Sequence, residues 1–223
     1  MQWTRMVMGK SPRLEQLVPP SLDCQWPEIC STLQATGIKL KQISNVFVSK
    51  ELVAYLGSYS GLENLEVIIE RGNEDLAHLF FDSLVQHKDS LLSLNCPAFH
   101  EGQWCLTRYN LSTISQLHAL QRLPMGVNSY DIQVIDDRNV ITMFLDMAPA
   151  MPALRSICIR ATSTVSSLYD VYDIYGRDQA MRKRDTQTKV EAVLTKYSKS
   201  TDLTCVRQLI ETHHQIIRPY HRH

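Results

Sequence analysis

The sequence predicts an α/β fold in which short parallel strands alternate with helices along a repeating array. Three observations carry that prediction: an apolar spacing L-x-x-L-x-Φ (Φ apolar) that recurs along the chain, helical-period segments between the copies, and glycine or proline punctuation at many of the joins. The best copy is Leu62-Glu63-Asn64-Leu65-Glu66-Val67. It recurs as Leu91-Leu92-Ser93-Leu94-Asn95-Cys96, Leu120-Gln121-Arg122-Leu123-Pro124-Met125 and Leu154-Arg155-Ser156-Ile157-Cys158-Ile159. Two poorer copies lie upstream: Leu40 to Asn45 has asparagine in the third apolar place, and Leu14 to Pro19 has proline there. In a strand, alternate residues face opposite sides, so the second leucine and the residue two places on point inward while those between point outward.

The six copies are spaced by roughly 22 to 34 residues, at and somewhat beyond the period of leucine-rich repeats. The expectation is a leucine-rich-repeat-like solenoid of about six irregular repeats over residues 1–162, with a charged, mainly helical cap or tail over 163–223. One unit cannot bury its leucines alone, so stability would come from stacking.

In chain order, Trp3, Met6, Val7 and Leu14 have helical spacing with no capping residue ahead of them, which leads us to expect a missing N-terminal portion or a partner over that end. Pro27 suits the first turn of a helix through Ile29, Cys30 and Leu33, which Gly37 stops. Ser49 caps a helix bearing Leu52, Val53 and Leu56. Asn73 is placed to cap the next, with Leu76, Leu79, Phe80 and Leu84 as its buried stripe. Residues 97–110 form an insertion carrying His100, Trp104 and Tyr109, after which Thr113 and Gln116 have capping-box spacing for a helix with Ile114, Leu117 and Leu120. A fifth helix holds Val140, Ile141, Phe144, Leu145 and Met147. Beyond about Thr162 the pattern stops: Tyr169, Tyr172 and Tyr175 recur every third residue, Arg182-Lys183-Arg184 read as a solvated loop, and two helices are expected from about Thr188 to Tyr197 and Thr204 to Ile217.

The chain has 223 residues, 44% hydrophobic, with Lys plus Arg equal to Asp plus Glu at 23 each. With no overall basic field to gather phosphates, nucleic acid is not an expected partner. Cys24, Cys30, Cys96, Cys105, Cys158 and Cys205 form no C-x-x-C pair, so reduced thiols in a cytoplasmic or nuclear protein are expected. Arg5, Lys10 and Arg13 interrupt any signal-peptide core, and no uninterrupted apolar span approaches the ~20 residues needed to cross a bilayer, so no membrane partner is expected.

Residues for catalysis are not evident. No glycine-rich phosphate cradle has the required spacing, and Gly57-Ser58-Tyr59-Ser60-Gly61 carries tyrosine where a nucleophile elbow needs serine. His213, His214, His221 and His223 lack a completing ligand set, and His78, His87 and His118 read as surface residues. Asn110-Leu111-Ser112 fits a glycosylation acceptor but is read as a helix start. Neither catalytic residue, cofactor nor metal is assigned. The alternatives are an enzyme with a site between the array and the tail, at Tyr169 or Tyr172, and a degenerate fragment without function.

What remains is a surface of outward strand positions: Gln42, Ser44, Asn64, Glu66, Ser93, Asn95, Arg122, Ser156, Cys158 and Arg160. Its middle carries an acid and amides and its far end arginines, a pattern that would fix a partner's register. Gln42, Asn64, Glu66, Ser93, Asn95, Arg122 and Arg160, with Trp104 from the insertion, are the expected partner-binding residues.

The chain resembles the leucine-rich-repeat portion of F-box-like proteins of mushroom-forming fungi. The resemblance rests on Gly61 to Glu66, on Asp82-Ser83-Leu84 running into Leu91 to Pro97, on Ile114-Ser115-Gln116-Leu117-His118, and on Phe144-Leu145-Asp146 followed by Met151-Pro152-Ala153-Leu154, and it covers about residues 14–161. It implies a substrate-receptor role in an SCF-type ubiquitin ligase, in which an F-box docks on a Skp-type adaptor and the repeats choose the protein substrate. No F-box is visible ahead of Leu14, which leaves adaptor docking in question and carries over only the recognition half.

Overall fold

The computed structural model describes residues 15–17, 26–69, 73–98, 100–132, 138–162 and 174–200. Within them the chain is α/β, with one all-parallel sheet whose six strands follow one another in sequence order without a reversal. The strands are β1 (Gln16–Leu17), β2 (Gln42–Phe47), β3 (Asn64–Ile68), β4 (Ser93–Asn95), β5 (Arg122–Val127) and β6 (Ser156–Ala161). Helices α1 (Trp26–Thr36), α2 (Lys50–Gly57), α3 (Ala77–Leu84), α4 (Arg108–Ile114), α5 (Ser129–Ile132) and α6 (Val140–Met147) connect them, and α7 (Ile174–Ser200) follows β6. Parallel neighbours need such crossovers, because a tight hairpin returns the chain antiparallel.

The recurring leucines explain the sheet. Ile43, Leu65 and Leu94 stand in register, as do Leu123 and Ile157, and all five are buried. The leading leucines Leu40, Leu62, Leu91, Leu120 and Leu154 are buried beside them. Helical spacing on the facing elements adds Leu52, Leu56, Phe80, Phe81, Leu84, Leu111, Ile114, Phe144 and Leu145 to a single core cluster. Each such side chain contributes about 1.5–3 kcal/mol on full burial, so the core is held by these side chains taken together.

The same backbone device recurs at every strand-to-strand join. The carbonyl just ahead of one strand accepts two successive N–H groups at the start of the next: Glu15 from Lys41 and Gln42, Lys41 from Glu63 and Asn64, Glu63 from Leu92 and Ser93, Leu92 from Gln121 and Arg122, and Gln121 from Arg155 and Ser156. Lys41 also lies between Glu15 and Glu63, at 3.7 and 3.8 Å. Behind the strands a buried polar seam satisfies carbonyls that the turns leave open. Tyr55 donates to the Ile38 carbonyl at 2.8 Å and Tyr59 to the Leu40 carbonyl at 3.0 Å. His87 accepts the Leu62 N–H on Nδ1 at 3.2 Å and faces the Leu56 carbonyl through Nε2 at 3.0 Å. Since a backbone N–H can only donate, Nδ1 is the acceptor and the proton sits on Nε2.

The far edge of the sheet is closed by α7, which packs against β6, α5 and α6. Val190 and Leu194 enter the core, Gln187 Oε1 accepts the Ala161 N–H at 2.9 Å, and the Tyr197 hydroxyl donates to Asp146 Oδ1 at 2.5 Å. Covering an edge strand in this way removes a template for aggregation.

Several elements differ from the sequence reading. Asn45, expected as a defect in the third apolar place, takes a left-handed φ of 57°. The β2–β3 register shifts there, and Val46 turns inward instead. Asparagine tolerates that conformation better than most residues, so the bulge replaces the missing apolar contact. Asn73 does not cap its own helix; its amide donates to the Val48 carbonyl at 3.1 Å, and a 3-10 turn at Glu74–Leu76 precedes α3. Leu79 is 47% exposed and Phe81 takes its place in the core, because the buried stripe runs Ala77, Phe80, Phe81, Leu84. The helix expected to begin at Thr113 instead ends at Ile114. Thr107 and Asn110 form the capping box, with the Thr107 N–H donating to Asn110 Oδ1 at 2.9 Å. Arg182, Lys183 and Arg184 lie in the continuous helix α7, exposed, where a loop was expected. The expected helices at Trp3 to Leu14 and Thr204 to Ile217, and Tyr169, Tyr172 and the tail histidines, lie outside the described residues.

Candidate functional site

Parallel crossovers share one hand, so a sheet whose strand order never reverses gathers its helices on one face. The packing agrees: α1 lies on α2, α2 on α3, and α3 on α4. Among the described residues no helix lies over the middle strands on the other face. Burial alternates along β3 as the two faces require, with Leu65 and Val67 buried and Asn64, Glu66 and Ile68 half-exposed.

The structure brings the expected polar residues together on that open face. Gln42, Asn64, Ser93, Arg122 and Ser156 form one rung across five strands, each in register with the next. Two residues along, Glu66 is in register with Asn95, and the Asn95 amide donates to Glu66 Oε1 at 2.8 Å. Gln42 Nε2 donates weakly to Ser44 Oγ at 3.4 Å. Arg122 and Arg160 are exposed, the latter in register with Gly126. Cys158 pairs with Pro124 and is buried, so at the β6 end the face is partly covered. Proline has no N–H to give the ladder, which accounts for the thin β4–β5 pairing beside it.

Trp104 corrects the sequence expectation. It is 1% exposed and packs on Phe80 and Phe81, with ring centroids 5.3 and 6.3 Å apart. An indole buried in the core cannot meet a partner, so the insertion that carries Trp104 is structural at that point. It is also tied down on both sides. The Gln103 N–H donates to Glu74 Oε2 at 2.6 Å, the Gly102 N–H to Asn128 Oδ1 at 2.8 Å, and the Ser129 N–H to Glu101 Oε1 at 2.7 Å. Leu106 bridges to Val127 in the sheet.

His87 is the second correction. Expected on the surface, it is fully buried with the edge-on ring of Tyr59 at 4.9 Å, and burial pushes its pKa down. His78 and His118 are exposed, as expected.

Sequence reasoning missed two residues of the open face. Phe47 and Ile68 are in register on β2 and β3, half-buried, and neither joins the core cluster on the opposite side. The signal was present in the apolar run Val46-Phe47-Val48, but the bulge at Asn45 changes which of its members faces out.

Among the described residues the carboxylate of the face is Glu66, which is held by Asn95, and no group of three potential metal ligands occurs among them. Buried Cys30 and Cys105 have their thiol pKa pushed up to about 12 by burial, the opposite of an activated nucleophile. Elsewhere a cleft of about 440 Å³ is lined by Glu74, Asp75, Ala77, His78, Gln103 and Tyr109, but Glu74 is already engaged in holding the insertion. Among the described residues no helix is long and apolar enough to cross a membrane. Comparison with protein-family models, with curated proteins and with solved structures finds no match to this chain.

Proposed function

We propose that the chain is a leucine-rich-repeat-like scaffold and a non-catalytic protein-recognition module that docks a protein partner on the open face of its sheet. The carrying observation is the in-register rung Gln42, Asn64, Ser93, Arg122, Ser156, an unbroken polar row on a face over whose middle strands no described helix lies. The repeated two-to-one carbonyl join supports the solenoid part, since each repeat meets its neighbour through the same bonds. Polar side chains displayed on rigid strands are pre-organised, so little ordering entropy is lost on binding.

The role proposed is substrate choice in a cytoplasmic or nuclear ubiquitin ligase, in keeping with the F-box-like repeats the sequence resembles. Affinity capture tests both levels. Wild type, an Asn64→Lys/Ser93→Lys face variant and a Leu79→Lys helix-side variant are compared on the same extract. A protein partner held by wild type and the helix-side variant and lost by the face variant supports the docking face. Recovery of a Skp-type adaptor supports the ligase role, whereas equal capture by all three overturns the face.

A further inference from the structure

Taking the open face as the docking site, we infer that its partner is a protein segment carrying a carboxylate for Arg122 and an apolar anchor for the Phe47–Ile68 pair. The inference rests on the proposed function above and adds the chemistry of what is bound.

Apart from Arg160 at the β6 end, the charges on the face are Glu66 and Arg122, and they differ in availability. Glu66 already receives the Asn95 amide at 2.8 Å, so its demand is partly met within the protein. Arg122 is exposed on the polar rung, and no ion pair joins it to any described residue. The chain as a whole is neutral, so its net charge adds no long-range attraction or repulsion to that of this local cation. A guanidinium matches a carboxylate in geometry as well as in charge, through two parallel N–H donors.

The apolar part comes from the far end of the same strands. Phe47 and Ile68 sit side by side, apart from the core, and Pro97 follows β4 on the same side by strand alternation, half-exposed. An apolar anchor adds affinity to a docking face, while a charged group sets partner choice and register.

The register fixes a spacing. Ile68 and Arg122 lie two strands apart and four residues offset along the strand direction, which is on the order of 16 Å from strand separation and rise. A bound helix spans that distance in about 11 residues at 1.5 Å each. An extended segment does so in about 5. Glu66 lies between the two anchors and disfavours a second carboxylate in the middle, so acid and apolar groups are segregated along the ligand.

A random 16-residue peptide library displayed on phage, panned in parallel on the full chain and on two variants, tests this. On wild type, enriched peptides are expected to carry Asp or Glu separated from an apolar residue by one of the two spacings. Panning on Arg122→Glu is expected to deplete that set at least tenfold, and Phe47→Ser/Ile68→Ser to deplete it as well. Unchanged urea midpoints of the variants confirm that each is folded, as positions outside the core allow. Enriched peptides that are basic or neutral, yet lost on Phe47→Ser/Ile68→Ser, overturn the carboxylate and leave the docking face standing. Enrichment indifferent to both variants, or none on any protein, overturns the inference and the docking face together.

Discussion

On one side of the sheet Ile43, Leu65, Leu94, Leu123 and Ile157 are sealed beneath helices, while one residue earlier in each strand Gln42, Asn64, Ser93, Arg122 and Ser156 face outward. The neighbours differ only in the direction of their Cβ atoms. Position in a strand therefore decides whether a residue is buried in the core or displayed on the proposed docking face.

The sharpest way to break this comparison is to truncate neighbouring residues. Leu94→Ala is expected to cost 2–5 kcal/mol through lost burial and the cavity left behind, a range of about that size for buried leucines. Ser93→Ala, one residue away, is expected to stay within about 0.5 kcal/mol. Urea denaturation of both variants measures the contrast, and similar costs would erase the distinction between the faces.

Next in size is Asn110→Ala. The Asn110 amide donates to the Cys105 carbonyl at 2.6 Å, and its Oδ1 accepts the Thr107 N–H at 2.9 Å, all in the buried interior. Stranding these backbone groups is expected to cost about 2–3 kcal/mol, read from the same denaturation curves.

The buried seam behind the strands gives a pH dependence. Burial lowers the His87 pKa in the native state, so the unfolded chain takes up a proton first as pH falls. This contribution is therefore complete above the unfolded histidine value of about 6.5 and is lost below it, at up to about 1.4 kcal/mol per pH unit. Urea midpoints at pH 7.5 and 5.5 should diverge for wild type and diverge less for His87→Gln. An equal pH effect in both would assign it to other groups.

Smaller effects sharpen the picture. Ser49 Oγ accepts the Leu52 N–H at 3.2 Å, and Ser49→Ala is expected to cost about 1 kcal/mol in thermal or urea unfolding. Glu66→Gln keeps the bond from Asn95 within reach and is expected to change stability by no more than about 0.5 kcal/mol while altering partner binding.

How much of this could be read from the residues follows from where backbone and burial obey simple periods. The strands at Leu65, Leu94, Leu123 and Ile157 were legible because two apolar positions two apart, behind a leading leucine, have few other ways to be buried. Seven of the eight expected contact residues lie on the sheet for the same reason. Phe47 escaped because the left-handed turn at Asn45 resets alternation and periodicity does not register a bulge, whereas Ile68 follows the regular alternation of β3 one step beyond the six-residue repeat. Thr107 and Thr113 both precede helix-compatible stretches, and the choice between them fell to Asn110, whose side chain closes the box. Trp104 was misplaced because it lies in an insertion, where contact residues are expected, and His87 because its helix position reads as polar. Their burial is decided by contacts with Phe80, Phe81, Tyr59 and the Leu56 carbonyl, all of which come from other segments.

Site-specific photo-crosslinking tests the docking face most directly. A benzophenone side chain is placed in turn at Asn64, at Ser93 and, on the helical side, at the exposed position Leu79. The account predicts that one protein partner crosslinks from positions 64 and 93 and not from 79. Crosslinks from 79 with none from 64 or 93 would place recognition on the helices and contradict it.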